Sequence, residues 1–182
     1  PYLTMSYDYE ATIVREFGKF ALNGSVHKSK KPIYWCSSCR TALAEAEVEY
    51  EQHTSPSIFV KFPMISDLGD DFPVLKGKKS FILIWTTTPW TIPANLAVAL
   101  HPELPYAAVD PGNGEVWILA LGLVELCMDT FGIREYEILA EFPAGKLEKM
   151  KARHPLYDRE SLIVLAPYVT LDAGTGAVHT AP

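Results

Sequence analysis

Phe81-Ile82-Leu83-Ile84-Trp85-Thr86-Thr87-Thr88-Pro89-Trp90-Thr91-Ile92-Pro93-Ala94-Asn95 is the stretch from which the fold is read. Phe81 to Ile84 is an unbroken apolar run rich in β-formers, which predicts a strand covered on both faces, although so short a run does not by itself exclude helix. Pro89 and Pro93 then forbid continued strand pairing. Three adjacent threonines, stiff at χ1 because they are β-branched, are therefore delivered to the end of a core strand. Threonine is also common at solvated strand ends, so the triplet reads either as a plain strand terminus or as the lining of a polar pocket.

Length and composition bound the rest. A chain of 182 residues, 48% hydrophobic and 21% charged, is expected to form one globular domain of ordinary size with at most an appendage. No apolar stretch reaches the roughly 18 residues of a membrane span, and no signal peptide opens the sequence. Three cysteines, two of them in Cys36-Ser37-Ser38-Cys39, argue against a disulfide framework and for a reducing, cytoplasmic setting. The chain opens at Pro1 and stops at Pro182 inside an apparent motif, which reads as a piece of a longer polypeptide. A net charge of −6 writes no general affinity for nucleic acid into the composition. The basic clusters at Lys28, Lys30 and Lys31, at Lys76, Lys78 and Lys79, and at Lys146 to Arg153 read as solvated faces.

The pattern predicts a helix from about Tyr9 to Leu22, with Ile13, Phe17 and Phe20 in one stripe, Asp8 as its cap and Asn23-Gly24 as its stop. Its stripe requires a partner surface. Residues 1–52 are taken as this helix plus the Cys-x-x-Cys segment, and residues 53–182 as a β-rich domain. Two thiolates at the spacing of Cys36 and Cys39 can share one tetrahedral zinc, which needs four ligands. His27 and His53 match no usual spacing for the remainder, Cys127 reads as a small buried hydrophobe, and a redox pair is disfavoured because Cys36 does not open a helix.

Ser57 to Phe62 is β-prone, and Asp70-Asp71 sits in a loop expected to be solvated. Pro111-Gly112-Asn113-Gly114 between Tyr106–Asp110 and Glu115–Ala120 is a strong hairpin signal. Leu121 to Phe131 predicts a helix stopped by Gly132, and Tyr136 to Phe142 and Leu162 to Ala166 predict further strands. The class expected is α+β, mainly β, as a partly closed barrel with peripheral helices. The last eleven residues, Asp172-Ala173-Gly174-Thr175-Gly176-Ala177-Val178-His179-Thr180-Ala181-Pro182, join a glycine turn that allows close backbone approach to a histidine on a short strand.

Trp85-Thr86-Thr87-Thr88-Pro89-Trp90-Thr91-Ile92-Pro93-Ala94-Asn95 resembles the threonine-rich motif in the editing domain of isoleucyl-tRNA synthetase, and Gly174 to Pro182 resembles its second editing motif. The valyl and leucyl enzymes typically carry arginine where Thr88 stands, which favours the isoleucyl branch. The segment from Trp35 to Tyr50 resembles that family's first zinc half-site, and Pro1 to Met5 the run from its catalytic domain into the insertion. The resemblance thus covers nearly the whole chain. It implies hydrolysis of valyl-tRNA(Ile), with valyl-adenylate as a further substrate. One methylene in an apolar pocket is worth only about 1–3 kcal/mol, a limit for which isoleucyl-tRNA synthetase is itself the standard illustration. A second, smaller site must destroy what the first wrongly accepts.

By the same resemblance, Thr86, Thr87 and Thr88 hold the terminal adenosine and the attacking water, and Trp85 and Asn95 belong to the substrate wall. Gly174, Thr175 and Gly176 form the close-approach turn, and His179 excludes isoleucine. Cys36 and Cys39 are expected to be a structural, incomplete zinc site, with no cofactor needed for editing. The tRNA 3′ end and the remainder of the synthetase are the expected partners, with no membrane. In the family an aspartate beyond the final proline pairs with the substrate ammonium, so the 182-residue chain is expected to hydrolyse weakly or not at all. No His-Ile-Gly-His or Lys-Met-Ser-Lys-Ser signature or phosphate-cradling loop is present, so ATP is not expected as a substrate of this piece. Two other readings stay open, a non-catalytic zinc-stabilised module that positions tRNA and an editing domain of valyl or leucyl type.

Overall fold

A computed structural model of the chain describes residues 2–181; Pro1 and Pro182, the outermost residues of the two terminal motifs, lie outside them. The chain divides into two compact units, Pro1–His53 and Thr54–Pro182.

In the first unit, helix α1 (Tyr7–Leu22) is followed by a small hairpin of β1 (Tyr34–Cys36) and β2 (Thr41–Leu43). The helix starts two residues earlier than its periodicity suggests. Ser6, not Asp8, is the N-cap, and no side chain caps it. Asp8 lies in the first turn, where its charge favours the positive end of the helix dipole. Asn23 and Gly24, at φ +75°, end the helix as expected. Ile13, Phe17 and Phe20 are 53%, 57% and 61% exposed, so the apolar stripe is uncovered.

The second unit is mainly β. Its strands are β3 (Ile58–Pro63), β4 (Lys79–Thr86), β5 (Ala97–Leu100), β6 (Pro105–Asp110), β7 (Glu115–Ala120), β8 (Glu137–Pro143), β9 (Lys151–Arg153), β10 (Glu160–Leu165) and β11 (Ala177–Thr180). A five-stranded sheet runs β3-β4-β7-β6-β8 and a four-stranded sheet β11-β5-β10-β9. The apolar run is strand, and longer than Phe81 to Ile84. β4 lies between antiparallel β3 and parallel β7, and Ile82, Leu83 and Ile84 are all at most 2% exposed, so both of its faces are covered. Each such side chain contributes about 1.5–3 kcal/mol of burial.

The Pro111–Gly114 hairpin forms between β6 and β7, with Gly112 at φ +82° and the Asp110 carboxylate accepting from its amide. The Leu121–Phe131 helix is a 3-10 turn (Leu121–Leu123) followed by α2 (Val124–Thr130). Asp71 does not stand alone in water: it pairs with Lys146 at 3.0 Å.

The partly closed barrel is met only as a mainly β fold. Among the described residues there are three sheets and none closes on itself. The physical reason lies in the turn before β11. Thr175 Oγ1 donates to Leu83 O at 2.6 Å and Ala120 N donates to Thr175 O at 2.8 Å, so the turn is fastened to β4 and the end of β7 by single bonds. β11 then pairs with β5 instead of extending the larger sheet.

Gly176 sits in this turn at φ +72°, and a Cβ there would overlap the Cβ of Ala120. Gly176→Ala combines a left-handed backbone with a clash, so it should cost about 3 kcal/mol or more. Urea denaturation of the variant measures this as a lower midpoint.

Candidate functional site

The turn 172–176 and the end of β4 face a common hollow of about 290 Å³. Trp85, Thr86 and Thr87 form one wall, and Asp172 to Val178 form the other, with Tyr168 and Thr170 between them. The volume is at the lower end of the ~300–1,000 Å³ usual for small-molecule sites. A larger open groove of about 610 Å³ runs along α2, beside Glu125, Asp129 and Arg134, and holds no residue of either motif. The hollow at the two motifs is therefore the site of interest.

Each wall is positioned by bonds running into the core. Thr86 is the last residue of β4 and is 7% exposed. Its hydroxyl accepts from Thr88 N at 3.0 Å and lies 3.1 Å from Thr88 Oγ1. Thr88 leads into the 3-10 turn Pro89–Ala94, where Thr91 Oγ1 donates to Thr88 O at 2.8 Å. Thr87 is exposed, and its carbonyl accepts from Ser55 Oγ at 3.0 Å. Its hydroxyl has no protein partner among the described residues, so it is free for a ligand.

The opposite wall hangs on three donors. Tyr106 Oη donates to Gly176 O at 2.6 Å while accepting from His101 N at 2.9 Å. Cys127 Sγ donates to Gly174 O at 3.2 Å, and Thr175 Oγ1 donates to Leu83 O. Burial pushes the Tyr106 hydroxyl up to about 12 and the Cys127 thiol up to about 11, so both keep the proton they donate. Cys127 is 1% exposed, as its apolar reading required, but its thiol also holds the turn. Gly174, at φ +79°, packs so tightly that a Cβ would lie 3.0 Å from Trp85 Cβ. The indole is thereby pressed against the glycine turn.

Three expected residues, Asn95, His179 and Thr88, do not border the hollow. Asn95 is fully buried, and its Nδ2 donates to Ala97 O at 2.7 Å while Oδ1 has no partner. It braces the chain after the 3-10 turn. His179 lies on β11, with Nε2 2.8 Å from Thr91 Oγ1. The single proton of Thr91 goes to Thr88 O, so His179 Nε2 must be the donor, leaving Nδ1 unprotonated and buried without a partner. Burial, and secondly the charge of His154, hold the His179 imidazole below its ordinary range. Thr88, which also stands outside the rim, closes the chain of bonds: His179, Thr91, Thr88, Thr86. The two motifs thus share both a hollow and a hydrogen-bonded link. Thr91, Tyr168, Asp172 and Tyr106 were not singled out from the sequence, because nothing in their spacing separates them from ordinary strand and loop residues.

Cys36 ends β1 and Cys39 lies in the β1–β2 turn, where Cys39 N donates to Cys36 Sγ at 3.3 Å. That bond, chiefly, holds the Cys36 thiol below its usual range. Two thiols in one tight turn fit half of a tetrahedral set, yet among the described residues no group of three His, Cys, Asp or Glu side chains could hold a metal.

A family model for tRNA synthetases class I (I, L, M and V) matches residues 1–164. The chain belongs to this family. It is 60% identical over 182 residues to the isoleucine–tRNA ligase of Desulfotalea psychrophila, all of this chain against 19% of that one. It is 58% identical to the same enzyme of Geobacter sulfurreducens, of which it covers 20%. This class I synthetase chain therefore spans about a fifth of the length of the curated relatives it matches. Among solved structures, GlLeuRS-CP1 shares its fold with a TM-score of 0.60 at 20% identity, over 69% of this chain and 54% of that one. The cytosolic leucyl-tRNA synthetase editing domain of P. knowlesi does so with 0.57 at 11%, over 72% and 60%. No helix of the described residues is long and apolar enough to cross a membrane.

Because the lowered His179 value favours the neutral ring in the folded chain, its contribution to stability is present above the ordinary imidazole value of about 6.5 and is lost as pH falls through the folded-state value. Urea denaturation from about pH 7 to pH 5 should show stability falling, less steeply in His179→Gln. Thr91→Val leaves the His179 Nε2–H without its acceptor and should cost about 1–3 kcal/mol in the same assay.

Proposed function

We propose that this chain is the editing part of an isoleucine–tRNA ligase and hydrolyses valyl-tRNA(Ile), with valyl-adenylate as a further substrate. The observation that carries this reading is the small hollow shared by Trp85–Thr87 and the Gly174–Gly176 turn. The isoleucine–tRNA ligases to which it is similar, and the leucyl editing domains that share its fold, support it.

The chemistry follows from what the walls offer. Asp172 is the one charged side chain on the rim, and hydroxyls and backbone supply the other polar groups. His179 Nε2 is occupied by Thr91 and its Nδ1 is enclosed, so His179 does not serve as a base for the Thr86 or Thr87 hydroxyl. An unassisted threonine hydroxyl is a weak nucleophile. Direct attack by a water held between the Thr86 and Thr87 hydroxyls fits better, with positioning and exclusion of bulk solvent lowering the barrier. Trp85, pressed on Gly174, limits the side-chain volume admitted. His179 acts through Thr91 and Thr88 on the setting of Thr86, and not as a base.

Cys36 and Cys39 would supply two thiolates to a structural zinc, with the other two ligands from outside the described residues. The tRNA 3′ end, the remainder of a synthetase and a cytoplasmic location complete the proposal.

The test is deacylation of valyl-tRNA(Ile) against isoleucyl-tRNA(Ile) by the chain extended past Pro182 to include the aspartate of the second motif, since the 182-residue chain itself is expected to hydrolyse weakly or not at all. The valyl ester should be hydrolysed at least about tenfold faster, and Thr87→Val should slow it by about tenfold, the equivalent of one hydrogen bond. Equal rates on the two esters refute the reading.

A further inference from the structure

The three carbonyls of the glycine turn are all taken by donors from elsewhere in the unit. Gly174 O takes the Cys127 thiol, Thr175 O takes the Ala120 amide, and Gly176 O takes the Tyr106 hydroxyl. No peptide bond among the described residues is cis. In a trans peptide, the N–H of the following residue points opposite to the carbonyl. The amides of Thr175 and Gly176 therefore point away from Cys127 and Ala120. Neither has a protein acceptor among the described residues, although both residues are at most about a tenth exposed and border the hollow. Buried amides are ordinarily paired, so two neighbouring free ones beside a cavity mark an acceptor-binding place. Turns with glycines at positive φ form such anion-receiving concavities.

We infer that the Thr175 and Gly176 amides form the oxyanion-binding pair of the hollow, and that Tyr106 and Cys127 are positioning residues that aim them. This rests on the editing reading. In the step itself the water oxygen bonds to the ester carbonyl carbon, and the carbonyl π pair moves onto its oxygen. The two amides receive that oxyanion. Collapse re-forms the C=O bond and breaks the bond to the ribose oxygen, which takes the proton lost by the water. Donors set in place beforehand stabilise the charge without reorganising as it develops. The glycines serve this purpose too, since the turn reaches the core donors only where no Cβ intervenes.

The experiment measures binding to the 182-residue chain of two adenosine probes. In one, an amide replaces the valyl ester and mimics the ground state. In the other, an anionic tetrahedral phosphonate replaces the carbonyl. The phosphonate should bind at least about tenfold more tightly, since losing one oxyanion donor costs about 10²–10³ in rate. Tyr106→Phe and Cys127→Ala should remove most of that preference, read as the ratio of the two affinities, and Cys127→Ser, which keeps a donor, should restore it. Should Tyr106→Phe fail to fold by circular dichroism, the Cys127 pair decides. If the amide probe binds but the phosphonate gains nothing, or if the variants weaken both probes alike, the inference is overturned and the editing reading stands. If neither probe binds the unmodified chain, the inference is overturned, while the editing reading is decided by the deacylation test.

Discussion

The site depends on one close approach, that of the Gly174–Gly176 turn to β4 and the end of β7. Backbone cannot come this near a neighbouring strand with a Cβ in the way, and Gly176 against Ala120 is where that limit is reached. Tyr106, Cys127 and Thr175 then fasten the turn with donors that burial keeps protonated or that already carry a fixed proton. A turn held only by apolar contact could slide along the strand. One held by three directed bonds presents the same atoms to the cavity each time it forms. The order of the motifs along the chain matters less than this clamp, which sets the wall opposite the threonines.

The second wall is organised by a different economy. Thr86, Thr88 and Thr91 spend their hydroxyl and carbonyl groups on one another and on His179. Thr86 also faces the hollow, and Thr87 there keeps a hydroxyl with no protein partner among the described residues. The histidine is bound into this chain in its neutral form, and its remaining nitrogen is enclosed. The histidine expected to limit the side chain admitted is thereby spent within this chain of bonds.

The first unit contributes in another way. Its helix carries an apolar stripe without cover, and its cysteine turn offers two ligands where a tetrahedral metal needs four. The chain is about a fifth as long as the isoleucine–tRNA ligases it resembles.

The sequence by itself determined what is local. The β4 run, the hairpin at Pro111–Gly114, the helix stops at Gly24 and Gly132, and the pairing of two cysteines each depend on residues close in the chain, so propensity and turn chemistry specify them. The resemblance of its two motifs also named the hollow's main residues. Tertiary structure alone decided that Asn95 turns inward, that His179 is spent on Thr91, and that Tyr106 and Cys127 reach the glycine turn from 70 and 47 residues away. It also decided that the sheets stay open. These outcomes depend on which hydrogen-bonding groups meet after the chain has folded, and no periodicity or spacing encodes a meeting between distant side chains and a backbone carbonyl.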